Sequence, residues 1–178
     1  MTRPFSFALT LLALFALTVP AVAQRDAGAK ARGDYFFYGH SSHSHLHGAS
    51  QHTGHYGRYL ESTQTVSPHV SSMTHTAIDH HINQTQAHLD ALKQGLEADN
   101  NQAALEGVAT VNKHLGDARE HHATLQKLSD TKPVDAAASK KVVAKLQASL
   151  DTALGELEKL LESLHLGKPP ARTATPAK

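Results

Sequence analysis

Between residues 67 and 166, apolar residues recur every three or four positions, which is the spacing of one face of an α-helix. Ser67 and Pro68 suit the start of a helix, because serine caps the first turn and proline is favoured within it. From there the apolar residues on one face of the helix, which we call its seam, follow each other at intervals of four and three residues, with Thr85 filling one gap. The seam predicts a helix over 68–98 whose buried positions are Ile78, Ile82, Leu89, Leu92 and Leu96.

Two further helices are predicted by the same spacing. Asp99-Asn100-Asn101 favours a turn, and a second helix over 101–129 follows it. Its seam consists of Val108, Val111, Leu115, Ala118, His122 and Leu125. A third helix over 133–166 carries Val143, Leu146, Leu150, Ala153, Leu157, Leu160 and Leu164. Short connections require antiparallel neighbours, so the fold class is all-α, an up-down-up three-helix bundle. A fourth helix could be added by the N-terminal segment or by dimerisation.

The two ends of the chain have a different character. Residues 1–23 combine Arg3, an apolar run and small residues up to Ala23, which is the plan of a cleaved secretory signal peptide. Residues 24–66 are rich in Gly, Ser, His and Tyr and predict a disordered, low-complexity arm. The polar tail over 167–178 is also expected to be disordered. We therefore expect an exported protein, periplasmic or secreted, without a transmembrane segment after cleavage.

Composition narrows the chemistry. The 17 basic and 16 acidic residues nearly balance, so no nucleic-acid partner is indicated. The absence of cysteine excludes thiolate sites, while 15 histidines in 178 residues are an unusual excess. Imidazole is a ligand for Zn(II), Cu(II) and Ni(II). No motif of a hydrolase or a metalloprotease is present, and we expect that the protein is not an enzyme.

Six histidines are arranged symmetrically about the turn at residue 101. The first predicted helix carries His80, His81 and His88, and the second carries His114, His121 and His122 in mirrored order. Closing the hairpin brings mirrored positions level with each other. The apolar seam gives nearly the same register, because it pairs Ile82 with Ala118 and Leu89 with Val111.

Two levels of candidate metal ligands follow from this register. His81, His121 and His122 are predicted at one level, and His88 with His114 at the other. The levels are about 10.5 Å apart at a rise of ~1.5 Å per residue, too far for one ion to bridge. His80 is expected on the outer face. His75, also in the seam, is expected to be a packed core residue.

The predicted arm contains a second set of candidates. His43, His45 and His47 alternate with other residues, and a flexible loop could wrap them around one ion at an entropic cost.

Three functions are compatible with these patterns. The first is storage, buffering or sequestration of a divalent transition metal by the paired histidines and the arm. The second is a structural or interaction bundle in which protonation of facing histidines acts as a pH switch. The third is an electron carrier that holds haem between His88 and His114.

Overall fold

The computed structural model describes the backbone of residues 19–131 and 133–167 and the side chains of 32–131 and 133–167. This part of the chain contains four α-helices and no β-strand: α1 (Val19–Ser62), α2 (Pro68–Ala98), α3 (Gln102–Ser129) and α4 (Ala136–Ser163). None of these helices is long and apolar enough to cross a membrane. Most of the predicted signal peptide and the predicted tail beyond Gly167 lie outside the described residues. The predicted cleavage position after Ala23 falls within α1, and cleavage stays a prediction.

Polar caps fix where three of the helices begin. The side chains of Ser67, Asn101 and Asp135 accept hydrogen bonds from the backbone N–H groups of Val70, Ala104 and Ala138, respectively. Each cap satisfies one of the N–H groups that the first turn of a helix leaves unpaired. The bounds of α2, α3 and α4 agree within three residues with the helices that the heptad spacing predicts.

The core lies where these three helices present their seams. Every predicted seam residue of α2 and α3 is buried. The seam residues predicted for the last helix are buried as well, except Leu164, which is partly buried. Because steps of four and three keep one stripe of each helix facing its neighbours, leucine, isoleucine and valine fill the interior in successive layers.

The fourth helix is α1, and it replaces the disordered arm expected over residues 24–66. This segment is helical to Ser62, so the three-helix prediction is corrected to a four-helix bundle, with the N-terminal segment supplying the additional helix. Its buried residues also advance in steps of four and three: Tyr35, Gly39, Ser42, Leu46, Ala49, Thr53, Tyr56 and Leu60. Most of these are small or polar, so the seam does not appear as an apolar stripe.

The helices form a closed ring of neighbours. α1 packs against α2 and α4, and α3 packs against α2 and α4. Two polar contacts link α1 to α2 and its C-terminal cap: the Tyr35 hydroxyl donates to the Asp99 carboxylate, and the Tyr56 hydroxyl lies 2.8 Å from Ser71 Oγ. The α1–α2 and α3–α4 connections lie at the same end of this up-down-up-down bundle. A second subunit is not needed to supply the fourth helix.

Candidate functional site

Four imidazoles form a row along the groove between α1 and α2, which we call the histidine ladder. It consists of His52, His81, His45 and His88, and the rings come alternately from α1 and α2. Consecutive ring centroids are 5.4, 5.5 and 5.5 Å apart. The two members on each helix are seven residues apart, so each step along the ladder follows the heptad of the bundle.

The centre of the ladder is the contact between His45 and His81. The Nδ1 atoms of these two side chains are 3.2 Å apart, and both side chains are half-buried. At this distance one imidazole donates its N–H to the lone pair of the other. His80 contacts both rings edge-on, and Tyr38 lies beyond His88 with a centroid distance of 6.1 Å. The ladder is therefore bounded by an aromatic side chain at one end.

The His45–His81 distance suits two ligands of one metal ion. Two nitrogens bound at about 2.0–2.1 Å are about 3.3–3.4 Å apart in tetrahedral geometry and about 2.9 Å apart at a right angle. The observed 3.2 Å lies between these values. A metal ion could thus replace the shared proton if each ring turns so that its Nδ1 lone pair points at the ion, with little change in the distance between the two nitrogens.

Gly48 makes room for this pair. A Cβ atom at Gly48 would lie 2.7 Å from His81 Cε1 and 2.9 Å from His81 Nε2. The absent side chain lets the imidazole of His81 lie against the backbone of α1, which places its Nδ1 beside His45.

We predict that Gly48→Ala displaces the His81 ring and lengthens the His45–His81 contact without removing any histidine. The matched control is Gly54→Ala on the same helix, where the nearest atom would be 3.5 Å from the new Cβ. That control should keep the contact and gain up to about 1 kcal/mol from the higher helix propensity of alanine. Imidazole chemical shifts measured by NMR report on the contact. Unchanged His81 shifts in Gly48→Ala would contradict the prediction.

The other two candidate ligands of the predicted arm, His43 and His47, lie on the opposite flank of α1, towards α4. His43 Nε2 is 3.3 Å from Glu158 Oε1, and the ring of His47 stacks on that of His43 at 6.4 Å. Burial lowers the pKa of His43, although Glu158 acts in the opposite direction. The helix thus separates His45 from His43 and His47, and the loop in which all three would wrap one ion is not formed.

The predicted pairing across α2 and α3 has the correct register, but the residues that meet across these helices lie on the other side of the seam from the candidate ligands. Contacts of Asn83 with Arg119 and of Gln86 with Asn112, at 3.2 and 3.0 Å, lie at the expected level. These residues follow seam positions, whereas the candidate ligands precede them. The side chains that precede the α2 seam face α1 instead.

His81 and His88 consequently meet His45 rather than the histidines of α3. On α3, His114 and His121 share a flank with Gly107, which packs against Leu160 of α4. His114 has a carboxylate of its own helix nearby, with Nδ1 3.7 Å from Asp117 Oδ2. The geometry therefore does not bring His114 or His121 to the ligands predicted to accompany them.

His122 lies in the core as its seam position predicts, and it packs against His75. The ring centroids of these two buried side chains are 5.4 Å apart. Burial is the main cause that lowers the pKa of both, and the pKa of His75 falls to about 4. Both imidazoles are therefore neutral at pH 7.

His45 is among the predicted ligands, but His52 and the helical placement of both residues are not predicted, because a disordered arm is expected over residues 24–66. The sequence does contain a signal for this helix: Tyr38, His45, His52 and Tyr59 recur at intervals of seven residues. A heptad of aromatic and imidazole side chains beside a seam of small residues indicates a packed helix flank.

Taken together, these features define an antiparallel four-helix bundle with a row of imidazoles along one groove. Within the described residues, no group of three or more His, Cys, Asp or Glu side chains is already arranged to hold a metal ion. Comparison with known proteins gave no match to a protein family, a curated protein or a solved structure. The function is therefore argued from the geometry of the histidines.

Proposed function

We propose that the protein binds a divalent transition metal in the histidine ladder and serves to store, buffer or sequester it in the periplasm or another exported space. His45 and His81 are the central ligands. The observation that carries this proposal is the 3.2 Å separation of their Nδ1 atoms, which suits adjacent ligands of one ion. Because the chain contains no cysteine, the ions favoured by its donors are Zn(II), Cu(II) and Ni(II).

Further ligands are available within the ladder. His52 stacks on His81, and His88 stacks on His45, so rotation of either ring could add a third nitrogen to the central pair. Completing the site then requires side-chain rotation and leaves the helices in place. Such a site holds an ion without a catalytic group beside it, and no enzymatic activity is proposed.

The test compares two double variants in a metal titration. His45→Gln/His81→Gln removes the central pair, while His55→Gln/His69→Gln removes two exposed histidines from the same two helices. We expect Zn(II), Cu(II) or Ni(II) to bind at least tenfold more weakly to the first variant, and the second to match the original protein. Isothermal calorimetry in chelator-treated buffer measures both affinities.

Thermal melting gives a second measurement of the same proposal. An ion in the ladder at 100 times its dissociation constant should stabilise the folded protein by about 2.7 kcal/mol, and removal of the central pair should abolish this contribution of the ladder. The proposal fails if none of the three ions binds, or if both double variants bind with the same affinity.

A pH-responsive bundle is a second candidate, and the buried His75–His122 pair favours it. Protonating either imidazole places a charge in the core beside a second imidazole. Acid should therefore destabilise the end of the bundle where the α1–α2 and α3–α4 connections lie. The haem alternative receives no such support, because His88 lies on the α1 side of α2 and His114 on the α4 side of α3.

A further inference from the structure

A cavity of about 900 Å³ opens at the end of the bundle where the α1–α2 and α3–α4 connections lie. Its wall includes Val66, Ser71, His75, Asp79 and Ser129. The cavity connects His75, which packs against His122 in the core, with solvent. It is separate from the histidine ladder, which lies in the α1–α2 groove.

The hydrogen bonds of His75 determine which of its ring nitrogens carries the proton. The Ser129 hydroxyl donates to the Leu125 carbonyl at 3.1 Å, so its oxygen is left to accept from His75 Nε2 at 2.8 Å. A neutral imidazole carries one N–H, and His75 Nδ1 is therefore a bare lone pair. This atom has no hydrogen-bond partner, although the residue is only 6% exposed.

The neighbouring imidazole is in a similar position. His122 is 4% exposed, and its Nε2 also has no hydrogen-bond partner. A buried polar atom without a partner destabilises the fold, and a ligand shared by the two adjacent rings would explain both atoms at once. Two imidazoles on one tetrahedral ion have centroids about 5 Å apart. The His75 and His122 centroids are 5.4 Å apart.

We propose that His75 Nδ1 and His122 Nε2 bind a second divalent transition-metal ion, with the carboxylate of Asp79 as the third ligand. Asp79 lies one helical turn after His75, lines the same cavity and is exposed, so its carboxylate can rotate towards the imidazoles. Water from the cavity completes the coordination, and the cavity is the path of entry. The donor set of two imidazoles and one carboxylate suits Zn(II).

This proposal depends on the proposed function only for the class of ligand, since the two sites share no residue. The two can therefore succeed or fail separately. The alternative is that a buried water molecule satisfies both nitrogens, in which case the layer has only a structural role.

The experiment titrates Zn(II) into the His45→Gln/His81→Gln variant, which lacks the central pair of the ladder but retains the buried pair. NMR follows the imidazole resonances of His75 and His122 in the folded protein. We expect these resonances to shift, and calorimetry to show one remaining zinc ion. Asp79→Asn should weaken this binding at least tenfold, while Asp90→Asn, an exposed carboxylate on the same helix, should leave it unchanged.

The second site is overturned if His75 and His122 do not respond to saturating Zn(II) in either the variant or the original protein. A response of the ladder histidines in the original protein under the same conditions would then leave the first site standing. Conversely, a response confined to His75 and His122 would overturn the ladder and support the buried site.

Discussion

Replacing Leu46 with alanine should lower the free energy of unfolding by about 2–5 kcal/mol. Leu46 lies in the middle of the α1 seam and is fully buried among the residues of the core. Truncating it removes packed apolar atoms and leaves a cavity that the neighbouring side chains fill only in part. The effect is large because α1 is one of four walls of the core, whereas truncating a side chain in a disordered arm would change nothing.

Urea denaturation followed by circular dichroism measures this effect. The matched control is Phe37→Ala on the same helix, because Phe37 is 58% exposed. A substitution at such a position usually changes stability by less than about 0.5 kcal/mol. If Leu46→Ala unfolds at the same urea concentration as the original protein, α1 does not pack on α2 and α4.

The second large effect is a loss of stability in acid that originates from His75 and His122. Burial, and secondarily the neighbouring imidazole of His122, lower the pKa of His75 to about 4, while Asp130 opposes the shift. The pKa of His122 is also lowered by burial, and Asp79 opposes that shift. The ring of Tyr56 on α1 also packs edge-on against the imidazole of His75.

The direction of the pH dependence follows from the unfolded chain, in which a histidine titrates near pH 6.5. Between pH 6.5 and pH 4 the unfolded state binds a proton that folded His75 does not, so stability falls as pH falls through this window. His75 alone should cost about 2 kcal/mol between pH 7 and pH 5. The melting temperature should fall by about 4–8 °C over the same range.

Substitution separates this pair from the other histidines. His75→Leu/His122→Leu should flatten the dependence of the melting temperature on pH, while His55→Gln/His69→Gln should preserve it. The measurements require a chelator, so that loss of a bound metal in acid is not mistaken for protonation of the core. Equal slopes in the two double variants would show that the acid sensitivity arises elsewhere.

Three of the four helices could be predicted because their seams consist mainly of leucine, isoleucine and valine. In α1 the same heptad positions are occupied by residues such as Gly39, Ser42 and Ala49, which give no apolar stripe. Glycine is also a poor helix former, so local preference opposes the helix. Tertiary contact decides in its favour: a side chain at Gly39 would collide with Leu161 of α4, which shows how closely α1 approaches its neighbour.

The candidate ligands show a different limit of prediction. The mirrored histidines indicated the correct level along α2 and α3, because level follows from counting residues on either side of the turn. Which flank of a seam faces which neighbour depends on the order of the helices around the bundle. That order cannot be predicted without α1, so the sequence places His81 beside His121, whereas its neighbour in the structure is His45.

The antiparallel order of the helices has a consequence for how the molecule assembles. Contacts between α1 and α2 join residues close in sequence, such as His45 and His81, which are 36 residues apart. Closing the ring between α1 and α4 joins residues much further apart, such as His43 and Glu158 at 115 residues. Low sequence separation favours early folding. We therefore expect the α1–α2 hairpin to form during synthesis, so that the ladder is assembled before α4 has emerged.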